Sequence, residues 1–183
     1  MDIRTELDLQ VKKVVVIGSS GAGKSVFSSR LGEITGLPVI HLDKYHWRPG
    51  WTEPPKDEWR RRVEELAGGD SWIIDGNFGG TMEIRLGKCD TAILLDMPRY
   101  VCVWRVIKRV IKYYGRTRPD LASDCPERID LSFIKWVWKF PTDTRPAVIE
   151  RLSRVADSVS IVRLTSAADV DRFLASVDSN QQR

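Results

Sequence analysis

Along this chain short apolar runs alternate with longer stretches of helical spacing. Val11 to Ile17 is a β-branched run entered through Lys12-Lys13 and ended by Gly18, which predicts a buried strand. From Lys24 to Ile34, Phe27, Leu31 and Ile34 recur on one helical face. Gly36 and Pro38 close that helix, and Val39 to Leu42 forms a second strand ending at Asp43. A loop rich in aromatics, Pro and Gly covers Tyr45 to Pro55. It leads to a helix over Lys56 to Ala67 with Trp59, Val63 and Leu66 as its inner stripe, ended by Gly68-Gly69. Trp72 to Ile74 and Thr91 to Leu95 read as the third and fourth strands, ending at Asp75-Gly76 and Asp96.

The second half is mostly helical. A long helix runs from Arg99 to Tyr114 and stops at Gly115. A polar loop from Arg116 to Arg128 follows, then helices over Leu131 to Lys139 and Pro146 to Ala156. Val159 to Leu164 is a fifth strand. Ser166 opens a last helix, and Asp169 three residues on gives the capping-box spacing ahead of Val170, Phe173, Leu174 and Val177. The final residues, from Ser179, are expected to fray.

Strands alternating with helices imply an α/β chain: about five parallel strands with helices on both faces, in one domain over 1–183. In such sheets ligands sit beyond the carboxyl ends of the strands. Gly18, Asp43, Asp75 and Asp96 all fall there.

Composition changes this picture little. The chain is 42% hydrophobic and 30% charged, as soluble globular proteins are. A net charge of +4 suits a handler of phosphate esters and does not by itself indicate nucleic-acid binding. Cys89, Cys102 and Cys125 are odd in number and unclustered, which fits a reduced, cytoplasmic chain. The N-terminus lacks a signal-peptide core, and Arg105, Lys108 and Arg109 interrupt the longest apolar stretch, so no membrane span is expected.

The chemistry concentrates in Gly18-Ser19-Ser20-Gly21-Ala22-Gly23-Lys24-Ser25, set between a strand and a helix. Its glycines let the backbone wrap so that successive N–H groups face phosphate oxygens, and the following helix adds its positive end. Lys24 would serve the β- and γ-phosphates of ATP and the Ser25 hydroxyl would hold Mg²⁺, with Val26 completing the nucleotide-contacting stretch. Asp43 either orients the metal's water shell and takes a proton from an acceptor hydroxyl, or caps a turn. Asp75 has the same alternatives, and Asp96 reads as the N-cap of the long helix.

On that long helix Arg105, Lys108, Arg109 and Lys112 share a face, while Val103, Ile107, Val110 and Tyr114 lie towards another. The basic face is either solvated or delivers Arg105 and Arg109 to a transferring phosphate. Arg116, Arg118 and Arg128 cluster in the next loop, where a lid would lie. Trp47 and Trp51, with Tyr45, His46 and Arg48, offer ring faces for stacking or for packing on the Trp59 helix. His41 and His46, the only histidines, make no metal site.

These segments resemble the small adenylate-kinase-like P-loop proteins labelled DNA-topology-modulation (FlaR-type) proteins. The match is carried by residues 18–25, by His-Leu-Asp-Lys-Tyr-His-Trp-Arg-Pro-Gly-Trp at 41–51 and by Trp-Ile-Ile-Asp-Gly-Asn-Phe at 72–78. Leu-Leu-Asp-Met-Pro-Arg at 94–99 and Arg-Thr-Arg-Pro-Asp at 116–120 extend it. The resemblance implies a three-layer P-loop NTPase fold of nucleoside-monophosphate-kinase type, with a substrate-side segment at 43–70 and a lid at 115–130. Asp75-Gly76-Asn77 with Arg85 looks like the Asp-Gly-x-Pro-Arg substrate segment of adenylate kinases, here without the Pro-Arg. On that likeness Asp75, Asn77 and Arg85 would face the acceptor.

Two function classes follow. One is an ATP- and Mg²⁺-dependent phosphotransferase acting on a small acceptor such as a nucleoside or nucleotide. There Asp43 is the working carboxylate, Arg85, Arg105, Arg109 and Arg118 neutralise the moving phosphoryl, and Trp47 stands on the substrate side. The other is a nucleotide-dependent regulator affecting DNA topology, with little or no kinase activity. No Asn-Lys-x-Asp guanine-reading segment and no Leu-Ser-Gly-Gly-Gln transporter segment is present.

Overall fold

A computed structural model of the protein describes residues 11–117 and 122–181. Five strands, β1 (Lys13–Gly18), β2 (Val39–His41), β3 (Trp72–Asp75), β4 (Thr91–Leu95) and β5 (Ser160–Leu164), form one sheet in the order β2-β3-β1-β4-β5. Every pairing is parallel. The helices are α1 (Lys24–Thr35), α2 (Leu42–His46), α3 (Lys56–Leu66), α4 (Met82–Leu86), α5 (Arg99–Tyr113), α6 (Leu131–Asp143), α7 (Arg145–Val155) and α8 (Ala167–Gln181). A 3₁₀ turn over Gly79–Thr81 precedes α4.

The period of two along each strand divides the core into two layers. Val14, Val16, Ile93 and Leu95 face Phe27 and Leu31 of α1, Cys102, Val106 and Val110 of α5, and Phe173 of α8. Val15, Ile17, Ile74 and Leu94 face Trp59 and Val63 of α3, Met82 of α4, and Val148 and Leu152 of α7. Near-continuous apolar strands are what a sheet covered on both faces requires. The fold is therefore the expected α/β sandwich. No helix among the described residues is long and apolar enough to cross a membrane.

Several local readings are corrected. A short helix, α2, begins directly at the end of β2 and takes in Leu42, read as strand, and Tyr45-His46, read as loop. The buried face of α5 is Cys102, Val106 and Val110 rather than Val103, Ile107 and Tyr114; Val103 packs only at its edge, and Tyr114 is 65% exposed. α6 continues past Lys139 to Asp143 with Pro141 inside its last turns. α8 holds through Ser179 to Gln181, where the Ser179 hydroxyl donates to the Ala175 carbonyl at 2.9 Å. The capping box stands: the Asp169 N–H donates to Ser166 Oγ at 3.1 Å and Asp169 Oδ2 accepts the Ser166 N–H at 2.9 Å. With Thr165 also donating to it, the Asp169 carboxyl is held down at about 2.

β1 sits at the switch point of the sheet, since the chain moves from it towards β2 and β3 on one side and later to β4 and β5 on the other. The loop after β1 therefore opens into the crevice between both halves.

Candidate active site

The loop from Gly18 to Gly23 wraps tightly because three of its residues take backbone angles that L side chains rarely adopt. Gly18 (φ 154°), Gly21 (φ 78°) and Gly23 (φ 100°) are all positive. At Gly21 sterics add a second constraint: a Cβ there would lie 2.2 Å from the Cys102 carbonyl oxygen of α5. The loop is thus wedged against the start of α5, and α1 leaves it with Lys24 as its first residue.

Lys24 reaches back over this loop, its ammonium donating to the carbonyls of Gly18 at 3.0 Å and Ser19 at 3.1 Å. Burial lowers its pKa, opposed by the negative charges of Asp43 and Asp75. Ser25 and Val26 follow on the first turn of α1, with Val26 68% exposed.

Asp43 lies in the first turn of α2 and lines a cavity of about 650 Å³ together with Ser20, Lys24 and Asn77. Asp75 is buried at the end of β3 and its Oδ2 lies 2.7 Å from His41 Nδ1. This His41–Asp75 pair was not foreseen; His41 two residues before Asp43, at the end of a strand adjacent to β3, was the available signal. Asn77 Oδ1 accepts the Gly18 N–H at 3.0 Å, which joins the β3 loop to the phosphate loop.

The arginines divide by contact. Arg105 donates to the carbonyls of Gly21 at 3.4 Å and Ala22 at 3.1 Å, bracing the loop from α5. Arg109 donates to Ser20 Oγ at 3.3 Å, and its Nε lies 3.0 Å from Glu127 Oε1. Lys108 and Lys112 turn elsewhere, over the rings of Trp104 and Tyr113. The basic face expected of α5 is thus split between loop and solvent.

Arg85 overturns its expectation. It is fully buried, and donates to the Gly76 carbonyl at 2.7 Å and the Asn77 carbonyl at 2.6 Å. Burial brings its guanidinium down to about 10. It holds the backbone of residues 76–78 in place and does not line the cavity. Phe78 in that segment has φ 35°, a conformation that costs a non-glycine residue about 1–3 kcal/mol. Asp96 is likewise not the cap of α5, whose cap is Pro98; it binds Arg145 and Arg163, with Arg163 Nε at 2.9 Å.

Aromatic side chains also line this cavity. Trp47 and Trp51 meet edge to face with centroids 5.3 Å apart, and Phe78, Phe133 and Trp136 join them in the lining. The 48–51 turn is tied to the loop after α5: the Gly50 N–H donates to the Asp124 carbonyl at 2.9 Å and Trp51 Nε1 to the Pro126 carbonyl at 3.0 Å. Arg118 lies outside the described residues. Among the described residues no group of three His, Cys, Asp or Glu side chains forms a metal cluster. The hard oxygens of Ser25 and Asp43 suit Mg²⁺ held mainly through phosphates and water.

No protein-family profile matches the chain, and no curated protein matches it. Solved structures do. A shikimate kinase from Acinetobacter baumannii in complex with shikimate superposes with TM-score 0.55 at 12% identity, covering 92% of this chain and 91% of that one. A gluconokinase from Sinorhizobium meliloti 1021 gives TM-score 0.51 at 17% identity over 94% and 92%. A shikimate kinase from Bacteroides thetaiotaomicron gives TM-score 0.53 at 14% identity over 94% and 99%. At these identities the likeness establishes the fold, a three-layer P-loop architecture.

Proposed function

We propose that this protein is an ATP-dependent phosphotransferase acting on a small hydroxyl acceptor. One observation carries the reading: the Lys24 phosphate loop and the Asp43 carboxylate line a single cavity of about 650 Å³, which Trp47, Trp51, Phe78, Phe133 and Trp136 also line. A regulator needs a nucleotide site. It does not need a carboxylate and an aromatic lining in the same cavity as the lysine. The neighbouring folds, named as kinases of shikimate and gluconate, agree with this reading.

Gly21, Gly23, Lys24 and Ser25 hold the triphosphate, with Gly18, Ser19, Ser20 and Ala22 shaping the loop. Mg²⁺, bound through Ser25, would neutralise charge on the phosphates. The acceptor hydroxyl oxygen bonds to the γ-phosphorus as the bond from that phosphorus to its bridging oxygen breaks. ADP leaves, and the hydroxyl proton passes to Asp43. Arg109 stands at Ser20 to stabilise charge in flight, while Arg105 positions the loop. His41 orients Asp75, which places negative charge behind Lys24. Residues 43–70 form the acceptor side and 115–130 the lid, within a single domain. Three free, buried cysteines accord with a cytoplasmic enzyme.

The test is ADP release from ATP-Mg²⁺ with candidate acceptors, for native protein and Lys24→Ala. Acceptor-dependent release that the variant loses supports the reading. Release that is independent of any acceptor and of Lys24 refutes it.

A further inference from the structure

The turn over residues 48–51 and the run 124–126 are distant in the chain and tied together in the fold. The Gly50 N–H donates to the Asp124 carbonyl at 2.9 Å, and Trp51 Nε1 donates to the Pro126 carbonyl at 3.0 Å. Between these two bonds the Cys125 thiol donates to the Arg48 carbonyl at 3.3 Å. Cys125 is fully buried although Asp124 and Pro126 on either side of it are exposed. The next residue leads to the phosphate loop. Glu127 pairs with Arg109, Oε1 to Nε at 3.0 Å, and Arg109 donates to Ser20 Oγ at 3.3 Å. The run 124–127 thus meets the 48–51 turn on one side and, through Arg109, the phosphate loop on the other.

The junction is strained on both sides. Among the described residues three non-glycine residues take positive φ: Trp51 (62°), Phe78 (35°) and Asp124 (57°). Two of the three, Trp51 and Asp124, supply atoms to this one junction. Aspartate tolerates the left-handed region; a bulky aromatic residue keeps it only where surrounding contacts hold it. The bonds from Gly50 and from the Trp51 ring are such contacts. When they break, the backbone at Trp51 can relax to ordinary angles, so joined and separated junctions are two discrete states. Trp51 also lines the cavity that holds Lys24 and Asp43. Joining the two segments therefore fixes where that ring stands.

We infer that Trp51 is a positioning residue whose bond to Pro126 latches the 48–51 turn to the 124–127 run, and that this latch is coupled to the nucleotide through Glu127, Arg109 and Ser20. A triphosphate on the loop gains from the Arg109 guanidinium only while Arg109 is held at Ser20. The Glu127 carboxylate helps hold it there, and the latch holds the run that carries Glu127. The coupling is reciprocal: a closed latch tightens nucleotide binding, and bound nucleotide keeps the latch closed. This rests on the phosphate loop binding ATP, which belongs to the phosphotransferase reading, and on no acceptor or transfer step.

Amide exchange and calorimetry test the latch and its coupling separately. Trp51→Phe keeps a ring in the cavity and removes the N–H. By NMR, the Gly50 amide of ligand-free Trp51→Phe is expected to exchange about fivefold or more faster than in native protein, with the Val15 amide of β1 unchanged. Unchanged Gly50 exchange, or equal acceleration at Val15 through global destabilisation, overturns the latch. Calorimetry then uses a non-hydrolysable ATP analogue with Mg²⁺. Trp51→Phe is expected to weaken binding about fivefold or more, and Glu127→Gln to weaken it as well. The double variant is expected to bind no more weakly than Glu127→Gln alone, because the route is already cut. Native affinity in Trp51→Phe, or additive losses in the double variant, overturns the coupling. Native protein that binds no analogue overturns the coupling together with the phosphate-loop reading, and the Gly50 exchange still decides the latch. Binding as expected in a protein that transfers no phosphoryl group leaves the inference standing and removes the kinase reading instead.

Discussion

Asn77 Oδ1 accepts the Gly18 N–H at 3.0 Å, so one side chain at the end of β3 fixes the first glycine of the phosphate loop. The bond bridges two neighbouring strands, because β3 pairs directly with β1. Asn77→Ala leaves that partly buried N–H without its acceptor, at a cost of about 1–3 kcal/mol. We expect a lower unfolding midpoint and weaker ATP binding together, whereas Asn77→Asp keeps the acceptor and loses less. Calorimetric titration and denaturant unfolding of both variants check this. Equal loss in both would mean that the bond itself contributes little.

Gly21→Ala meets two obstacles, a positive φ and the Cys102 carbonyl at 2.2 Å. Backbone cannot yield as a flexible side-chain tip does, so α5 or the loop must move. We expect ATP affinity to fall at least tenfold. Gly36, also at positive φ but with nothing near its Cβ position, is the control: Gly36→Ala loses some stability and leaves nucleotide affinity unchanged.

Arg85 distinguishes a structural from a substrate role. If it acts by holding the carbonyls of Gly76 and Asn77, Arg85→Met leaves buried acceptors unpaired. Unfolding free energy then falls by about 2–4 kcal/mol. Equilibrium denaturation measures it. Full stability with a raised KM for acceptor would restore the assignment made from sequence.

His46 gives the pH dependence a sign. It is buried against Trp47, Trp59 and Phe78, with ring centroids 4.5–4.9 Å away. Burial lowers its pKa from the ordinary 6.5. The unfolded chain therefore binds the proton first. The stability contributed by neutral His46 is complete above about pH 6.5 and is lost as pH falls towards the folded value. Thermal melts at pH 7.5 and 5.5 should show a drop that is smaller in His46→Phe. The same drop in both proteins would assign it to other groups.

What the sequence made legible was local. A β-branched run ending in Gly18, followed by glycines at fixed spacing and Lys24, specifies strand, loop and helix from contiguous residues alone. The sheet followed from the same logic repeated. α2 and α4, at five residues each, are too short for helical periodicity to show. The stripe of α5 was displaced because two apolar rows lie side by side on that helix, and only packing on Gly21 and the sheet chooses Cys102, Val106 and Val110. At the site, Lys24 and Asp43 were placed by strand ends. The fates of Arg85 and Asp96 depend on partners far away in the fold: Asp96 meets Arg163, 67 residues on. Nor does spacing reveal whether an arginine faces a ligand or a buried carbonyl.

The most direct test of the central claim follows the γ-phosphate itself. Phosphorus NMR of ATP-Mg²⁺ incubated with the candidate acceptors would show a new phosphate ester and stoichiometric ADP. Asp43→Asn is expected to lower its rate of formation about 100-fold or more, with ATP affinity within about threefold of native, because the carboxylate acts on the acceptor's proton. ATP binding that depends on Lys24, with no ester formed from any acceptor, would contradict the account.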